Sequence, residues 1–351
     1  MKFSSLCLLA CASAPLLFAF ALPADDLSFH PAANSDVSKT LKLNLEMNVT
    51  DASMTMNGEP LPGEVVESLK SNSVTVDMLV GVTEKYVASK DGKPVELLRT
   101  FDKMKLDSEF GEESKEMEEF KELEGKTVLF KWNEKDGAYD KSFHESEGEK
   151  DLLKSLEVDM DLRCLLPDKR VAKGDTWEVP AEHLKTLFIP GGLATKGGSD
   201  EAGAEFEKIQ KNLEEQFSSA LKDFKVTCTY KGTKDEGGTT VAEIGLIFDG
   251  KAKMDLASML EDIFAAQKQE GMPDMDFKAA VGMGMKGDGT LLWDVAAGHM
   301  QNFEMSATAN LDIDITVHAE QGDQPIDVVM TGRAEGKMSW EFAPTTAATK
   351  K

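Results

Sequence analysis

The chain has 351 residues, with 63 Asp and Glu against 39 Lys and Arg and a formal net charge of −24. This balance argues against nucleic acid as a partner, because phosphate binding needs clustered Lys and Arg. It also argues against charge-driven docking on anionic membranes. Apolar residues make up 41% and charged residues 29% of the chain, so the composition predicts a folded protein with a sizeable core.

Residues 1–21 are typical of a secretory signal peptide. Lys2 precedes an almost wholly apolar or small run, and residues 19–21 (Ala-Phe-Ala) fit the small-x-small cleavage rule. We therefore expect an exported protein, periplasmic or secreted, whose mature chain starts at Leu22. The alternatives are a membrane anchor, which the short apolar run disfavours, and lipidation at Cys11. After signal removal, no segment has the length of apolar sequence that a transmembrane helix needs.

Alternation of apolar and polar residues is the strongest pattern in the mature chain. It predicts strands with one apolar and one hydrated face, as in antiparallel sheets. The longest runs, 303–317 and 326–342, exceed the usual strand length, so the sheet is expected to curve or coil. Gly332, Ala334 and Gly336 fall on the apolar side, where small residues allow bending or close approach. Shorter runs lie at 41–49, 74–82, 224–230 and 242–248.

Helices are predicted at fewer places, from helical spacing of apolar residues and from capping residues. They cover residues 112–124, 149–157, 180–188, 200–224 and 255–271. Turn residues between the alternating runs favour hairpins, because Asp-Gly and Gly-Gly pairs adopt the left-handed backbone that tight turns need. The predicted hairpin turns lie at 91–92, 136–137, 237–238 and 321–323.

The mature chain is expected to be an α+β domain over residues 22–343. Its predicted centre is a large curved antiparallel sheet, half-barrel or barrel-like, with a few amphipathic helices. The Gly-rich stretch 189–203 is the best linker, so a single domain and two halves (22–188 and 200–343) both stay open. Residues 344–351 are expected to form a disordered tail.

The sequence predicts no catalytic, cofactor-binding or metal site. A G-x-G-x-x-G match at 282–287 leads into a strand instead of opening a helix, and no two histidines have metal-ligand spacing. Methionines over 272–285 are interpreted as core filler and loop, with an adaptable apolar ligand surface or copper(I) binding as alternatives. Carboxylate pairs two residues apart could offer oxygens to calcium, but a solvated face is the preferred interpretation. These pairs are Asp159/Asp161, Asp274/Asp276 and Asp312/Asp314.

Cys164 and Cys228 are the cysteines that remain after signal cleavage. An oxidising compartment allows a disulfide between them. In the chain-entropy model, that bond would contribute roughly 4 kcal/mol to stability. Two buried thiols are the alternative, because free Cys packs as a small hydrophobe.

Two segments together resemble sequences of uncharacterised exported bacterial proteins. Residues 165–177 fit the pattern P-x-x-x-V-x-x-G-D-x-W, and residues 289–294 with 298–300 resemble the strand-turn-strand that often follows it. The layout of long antiparallel strands with few helices is similar to the half-barrel lipoprotein-carrier folds of the bacterial envelope. This resemblance implies a sheet that cradles acyl chains on its concave apolar face. It assigns no individual ligand-binding residue.

The predicted sheet has more apolar surface than the predicted helices can cover. Ten strands about 4.8 Å apart make a sheet about 48 Å wide, and the two longest predicted helices (200–224 and 255–271), each about 10 Å across, cover less than half of it. We therefore interpret the chain as an exported, non-catalytic protein that binds an apolar or lipid-like ligand, or a lipidated partner, in a concave sheet. The alternatives are an envelope structural or protein-interaction module, and a hydrolase with dispersed Asp, Glu and His. No cofactor is expected.

Overall fold

A computed structural model describes most of the chain. The described residues are 24–111, 113–116, 118–192, 211–212, 215–216, 218–267, 275–321 and 324–344. The predicted signal peptide (1–21), most of the Gly-rich stretch 189–203 and residues 345–351 lie outside them.

The described residues form one large antiparallel sheet of thirteen strands that does not close on itself. Its strands are β1 (Ser35–Met56), β2 (Glu59–Pro60), β3 (Ser73–Lys90), β4 (Lys93–Phe110), β5 (Glu113–Glu116), β6 (Thr127–Asn133), β7 (Ala138–His144), β8 (Thr176–Glu178), β9 (Phe224–Glu236), β10 (Thr239–Asp255), β11 (Met275–Asp294), β12 (His299–Gln321) and β13 (Gln324–Pro344). The strand order is β7-β6-β4-β3-β1-β13-β12-β11-β10-β9-β8, with β2 beside β1 and β5 beside β4. The predicted fold class is confirmed.

The centre of the sheet joins the first strand to the last. β1 pairs with β13 from Lys39 opposite Pro344 to Met56 opposite Val328. Strands from both sides of the stretch 189–203 therefore belong to the same sheet. The long alternating runs predicted at the end of the sequence are β12 and β13, which pair from Phe303 opposite Phe342 to Gln321 opposite Gln324.

The tight turns follow the residues that permit a positive φ. Asp91 and Gly92 have φ of 51° and 73°, and the Gly-Gly pair at 237–238 has φ of 61° and 91°. Both turns join strands that pair directly, as the sequence predicts. Asn57 and Gly58 form a further turn of this kind, with φ of 53° and 84°, between β1 and β2.

Helices are few and short in the described chain. They are α1 (Gly63–Lys70), α2 (Leu184–Phe188) and α3 (Ala257–Gln267), with helical residues also at 211–212, 215–216 and 218–220. The Asp255 carboxylate accepts a hydrogen bond from the Ala257 N–H at 3.0 Å. Asp255 therefore caps α3, but it lies two residues before the first helical residue and not directly before it. The predicted helix at 112–124 is wrong. That stretch contains strand β5 and a 3-10 helix, because its first part pairs with β4 as strand β5.

The hydrophobic core covers only part of the sheet's apolar face. Residues 150–192 pack on the end of the sheet that carries Leu41, Phe303 and Phe342, here called the inner end. Phe188 lies at the centre of this packing, with its ring 6.0 Å from that of Trp340 and 6.3 Å from that of Phe248. The opposite end, where β1 ends at Met56, is called the outer end.

Glycines on the apolar face allow strands to approach closely where the inner end gives way to the outer end. A side chain on Gly336 would overlap the Glu46 carbonyl oxygen and lie 2.6 Å from Met47 Sδ. A side chain on Gly287 would similarly overlap the Ser306 carbonyl oxygen. This is the close approach expected from a glycine on the apolar side of β13.

Candidate ligand-binding face

An apolar surface continues beyond the core on the outer halves of the central strands. We call it the outer apolar face. Its side chains are half-buried, and none belongs to the core cluster or packs against it. It consists of Val49, Met54, Val281, Leu311, Ile313, Ile315, Val317, Val328 and Met330.

Strand register places these side chains in rows across β1, β13, β12 and β11. Met54, Met330 and Ile315 lie opposite one another in one row, and Val317 and Val328 continue the pattern in the next. Four strands about 4.8 Å apart and six residue steps of about 3.4 Å, from Leu311 to Val317, give a patch of roughly 14 by 20 Å. A patch of this area is comparable to the largest apolar patch of a typical monomer, which is often functional.

Half-burial of these side chains follows from their neighbours on the same face. Cross-strand side chains lie about 5 Å apart, so they shield each other's flanks. At Gly332, in the middle of the face, there is space above the backbone. A side chain on Gly332 would meet only Ile313 Cβ, at 3.9 Å, which is an ordinary van der Waals contact.

Exposed apolar residues surround this face at the outer end. Met56 is 43% exposed and Phe110 is 55% exposed, at the ends of β1 and β4. Val65 of α1 and Phe264 of α3 are exposed as well. Phe264 contacts Phe277 with ring centroids 4.7 Å apart, so α3 covers the β11 margin of the face.

A buried ionic cluster lies at the inner end. Lys39 Nζ donates to Glu84 Oε2 at 2.6 Å and to Asp161 Oδ1 at 2.8 Å. Arg99 Nη2 donates to Glu84 Oε1 at 2.7 Å, and the Tyr86 hydroxyl donates to Asp161 Oδ2 at 2.5 Å. The charged side chains are at most 4% exposed. Two cations balance two anions, as burial of charge requires.

The pKa values in this cluster favour the charged forms. Burial raises the pKa of Glu84, but the charges of Lys39 and Arg99 outweigh it and lower the value to about 2. Burial lowers the pKa of Lys39, but Asp161 and Glu84 outweigh it and raise the value above 10.5. At neutral pH Lys39 and Glu84 are therefore both charged.

The cluster anchors the segment around residue 160 to the sheet. Arg99 also donates to the carbonyl oxygens of Glu157 and Val158, each at 2.8 Å. Asp161 accepts a hydrogen bond from the backbone N–H of Met300 on β12 at 3.2 Å. The network thus connects β1, β3, β4 and β12 through one loop segment, which is a structural role.

Sequence reasoning missed this cluster, although a signal was present. Lys39, Glu84 and Arg99 occupy positions on the apolar side of their strands, in line with Leu41, Val82 and Leu97 and their neighbours. A charged residue on the apolar face of three strands in succession indicates a buried network, because an unpaired charge would be very costly there.

A cleft of about 870 Å³ lies beside β8 and is lined by part of the segment 165–177. Gly174 has φ of 97°, and Asp175 accepts a hydrogen bond from the Ala172 N–H at 2.9 Å. The Trp177 indole N–H donates to the Leu165 carbonyl at 3.2 Å. The G-D-x-W part of the segment therefore forms a turn that leads into an edge strand and is held by its own Trp.

Cys164 and Cys228, the cysteines among the described residues, are free thiols in the structure. Cys228 is buried on β9, opposite Trp177, and Cys164 lines the cleft. Burial raises the pKa of both thiols, that of Cys228 to about 12. A disulfide between Cys164 and Cys228 stays a prediction.

Two of the three carboxylate pairs lie within the described residues, and one acid of each pair contacts an arginine. Asp159 contacts Arg163 Nε at 3.1 Å, and Asp312 contacts Arg333 Nε at 2.9 Å. Asp274 lies outside the described residues. Within the described ranges, no group of three or more His, Cys, Asp or Glu is arranged to hold a metal ion. The G-x-G-x-x-G match at 282–287 lies within strand β11.

No helix in the described part of the chain is long and apolar enough to cross a membrane. No protein-family model matches the sequence, and no curated protein matches it.

Among solved structures, the chain is similar to the outer membrane protein OprG from Pseudomonas aeruginosa. The match has 11% identity, covers 91% of this chain and 100% of that one, and has a TM-score of 0.19. OccK5 (OpdH) of Pseudomonas aeruginosa matches with 6% identity, coverage of 89% and 99%, and a TM-score of 0.19. In vitro folded OmpT of Vibrio cholerae matches with 9% identity, coverage of 86% and 98%, and a TM-score of 0.13. These TM-scores are too low to assign a shared fold.

Proposed function

We propose that this chain is an exported, non-catalytic protein that binds an apolar or lipid-like ligand, or the acyl chain of a lipidated partner, on its outer apolar face. The proposal rests on one observation. The hydrophobic core ends partway along the central strands. Beyond Ala309 and Met338 the apolar face continues, but the described core does not cover it.

The composition of the face suits a ligand without polar anchors. Its side chains are aliphatic or Met, and Met adapts to apolar partners of varied shape. The strands run antiparallel and pair completely there, so their backbone groups are already satisfied. Binding would therefore rest on burial of apolar surface, at about 25 cal/mol per Å² removed from water.

Ligand binding can be tested with a fluorescent fatty-acid analogue and the purified mature protein. Ile313→Gln places a polar group in the middle of the face. Thr316→Gln makes the matched change on the opposite face of the same strand. We expect Ile313→Gln to weaken probe binding about fivefold, or about 1 kcal/mol, since a half-buried Ile gains part of the 1.5–3 kcal/mol of full burial. Thr316→Gln should leave affinity unchanged.

A second variant tests whether filling the face, without making it polar, also blocks probe binding. Gly332→Trp places a large apolar side chain in the open space above Ile313. It should compete with the probe while the protein keeps its thermal stability. Equal probe binding by the unaltered protein and by both the Gln and Trp variants on this face would contradict the proposal. Native mass spectrometry of protein purified from its source would identify the co-purifying ligand.

A further inference from the structure

Some backbone N–H and C=O groups of the edge strand β8 point away from the sheet, toward a cleft. Asp175 and Val179, on either side of β8, form backbone hydrogen bonds with β9, each at 2.9 Å. Alternate residues of an antiparallel strand direct their N–H and C=O groups toward the same neighbour. Trp177 therefore shares the direction of these two residues. The N–H and C=O groups of Thr176 and Glu178 point the other way, away from β9.

Both outward-facing residues line the cleft of about 870 Å³. In the described part of the chain, β8 pairs only with β9, so its second edge has no strand beside it. Such an edge is a template for another extended chain. A strand that adds to a sheet edge gains its affinity from main-chain hydrogen bonds.

The charges of the cleft indicate what kind of segment fits it. The carboxylates of Glu157, Asp168 and Glu178 line the cleft, and Glu157 also interacts electrostatically with Lys141. Lys169 opposes them, while the charge of Arg163 is already balanced by a neighbouring carboxylate. The cleft is thus acidic overall, which favours a partner that carries Lys or Arg.

We propose that the β8 edge is a docking site for an extended, basic peptide segment of a partner protein, which adds to the sheet beside Thr176 and Glu178. This site lies at the inner end of the sheet and is independent of the outer apolar face. It would give the molecule an interaction function in addition to the proposed ligand binding.

Three peptides test the proposal on the unaltered mature protein by fluorescence anisotropy. The first is a labelled, blocked hexapeptide, Lys-Val-Thr-Val-Lys-Val. The second has Glu in place of Lys, and the third is the Lys peptide with alternate amides N-methylated. We expect the Lys peptide to bind at least about tenfold more tightly than the other two, a difference of about 1.4 kcal/mol. Equal binding of the N-methylated peptide would exclude strand addition, and equal binding of the Glu peptide would exclude the charge preference.

Two protein variants locate the site. Thr176→Pro removes an outward N–H but no hydrogen bond to β9, so the sheet is preserved while strand addition is blocked. Thr176→Val keeps the backbone donor and is the matched control. The Pro variant should lose at least about tenfold in affinity for the Lys peptide, and the Val variant should lose none. Failure of the Lys peptide to bind, or full binding by a folded Pro variant, would overturn the assignment.

Discussion

Alanine at two glycines of the same strand should have opposite effects on stability. Gly332 and Gly336 both lie on the apolar side of β13, four residues apart. Gly336 lies where β1 and β13 approach closely, whereas Gly332 lies under the open part of the face. The two substitutions are therefore matched in chemistry and differ only in the space above the backbone.

The expected magnitudes follow from the surroundings of each Cβ. At Gly336 a methyl group would overlap the Glu46 carbonyl oxygen and lie 2.6 Å from Met47 Sδ, so β1 must shift. Overpacking of this kind costs about 1–3 kcal/mol. At Gly332 the nearest heavy atom is Ile313 Cβ at 3.9 Å. Replacing a strand glycine there removes an entropic cost of about 0.5–1 kcal/mol. The variants should differ by about 1.5–4 kcal/mol.

Urea denaturation followed by circular dichroism measures this difference. The midpoint should rise for Gly332→Ala and fall for Gly336→Ala, with an unchanged dependence of the free energy of unfolding on urea concentration. Destabilisation by Gly332→Ala comparable to that by Gly336→Ala would show that the space above Gly332 is filled. That result would refute the open apolar face.

Removal of one partner from the buried ionic cluster should destabilise the protein strongly. Asp161→Ala leaves Lys39 partly uncompensated, and its free energy of unfolding should fall by about 3–5 kcal/mol in urea titrations. The cluster should also determine how the free energy of unfolding changes at acidic pH. Since folding lowers the pKa of Glu84 from 4.5 to about 2, its stabilisation is present above pH 4.5 and is lost as the pH falls toward 2. Glu84→Gln should flatten this part of the pH profile. In the reduced protein, Cys228 should resist alkylation at pH 8 until urea unfolds the chain, because the thiol is buried. Protein from an oxidising compartment should weigh two hydrogens less than the reduced form if the disulfide with Cys164 forms.

The sequence was sufficient to predict the sheet, because alternation reports directly which face of a strand is buried. The runs 303–317 and 326–342 are strands in the structure, and the turns at 91–92 and 237–238 join neighbouring strands. The strand order was not predictable. Alternation shows which side of a strand is apolar, but it contains no information about which strand lies beside it.

The buried ionic cluster was missed for a related reason. Lys39 and Asp161 are far apart in sequence, and each taken alone is an ordinary polar residue. Their contact depends on the packing of a loop segment that has no periodic pattern. The helix predicted at 112–124 failed because pairing of β5 with β4 outweighs local helix propensity.

Pairing of β1 with β13 has a consequence for the order of folding. The central ladder of the sheet cannot form until both ends of the described chain are present, so its most distant contacts close last. Until then, each half carries a long unpaired edge with an apolar side, which invites pairing with another copy. Fragments divided between α2 and β9 should therefore aggregate when separate, yet assemble with each other when they are refolded together.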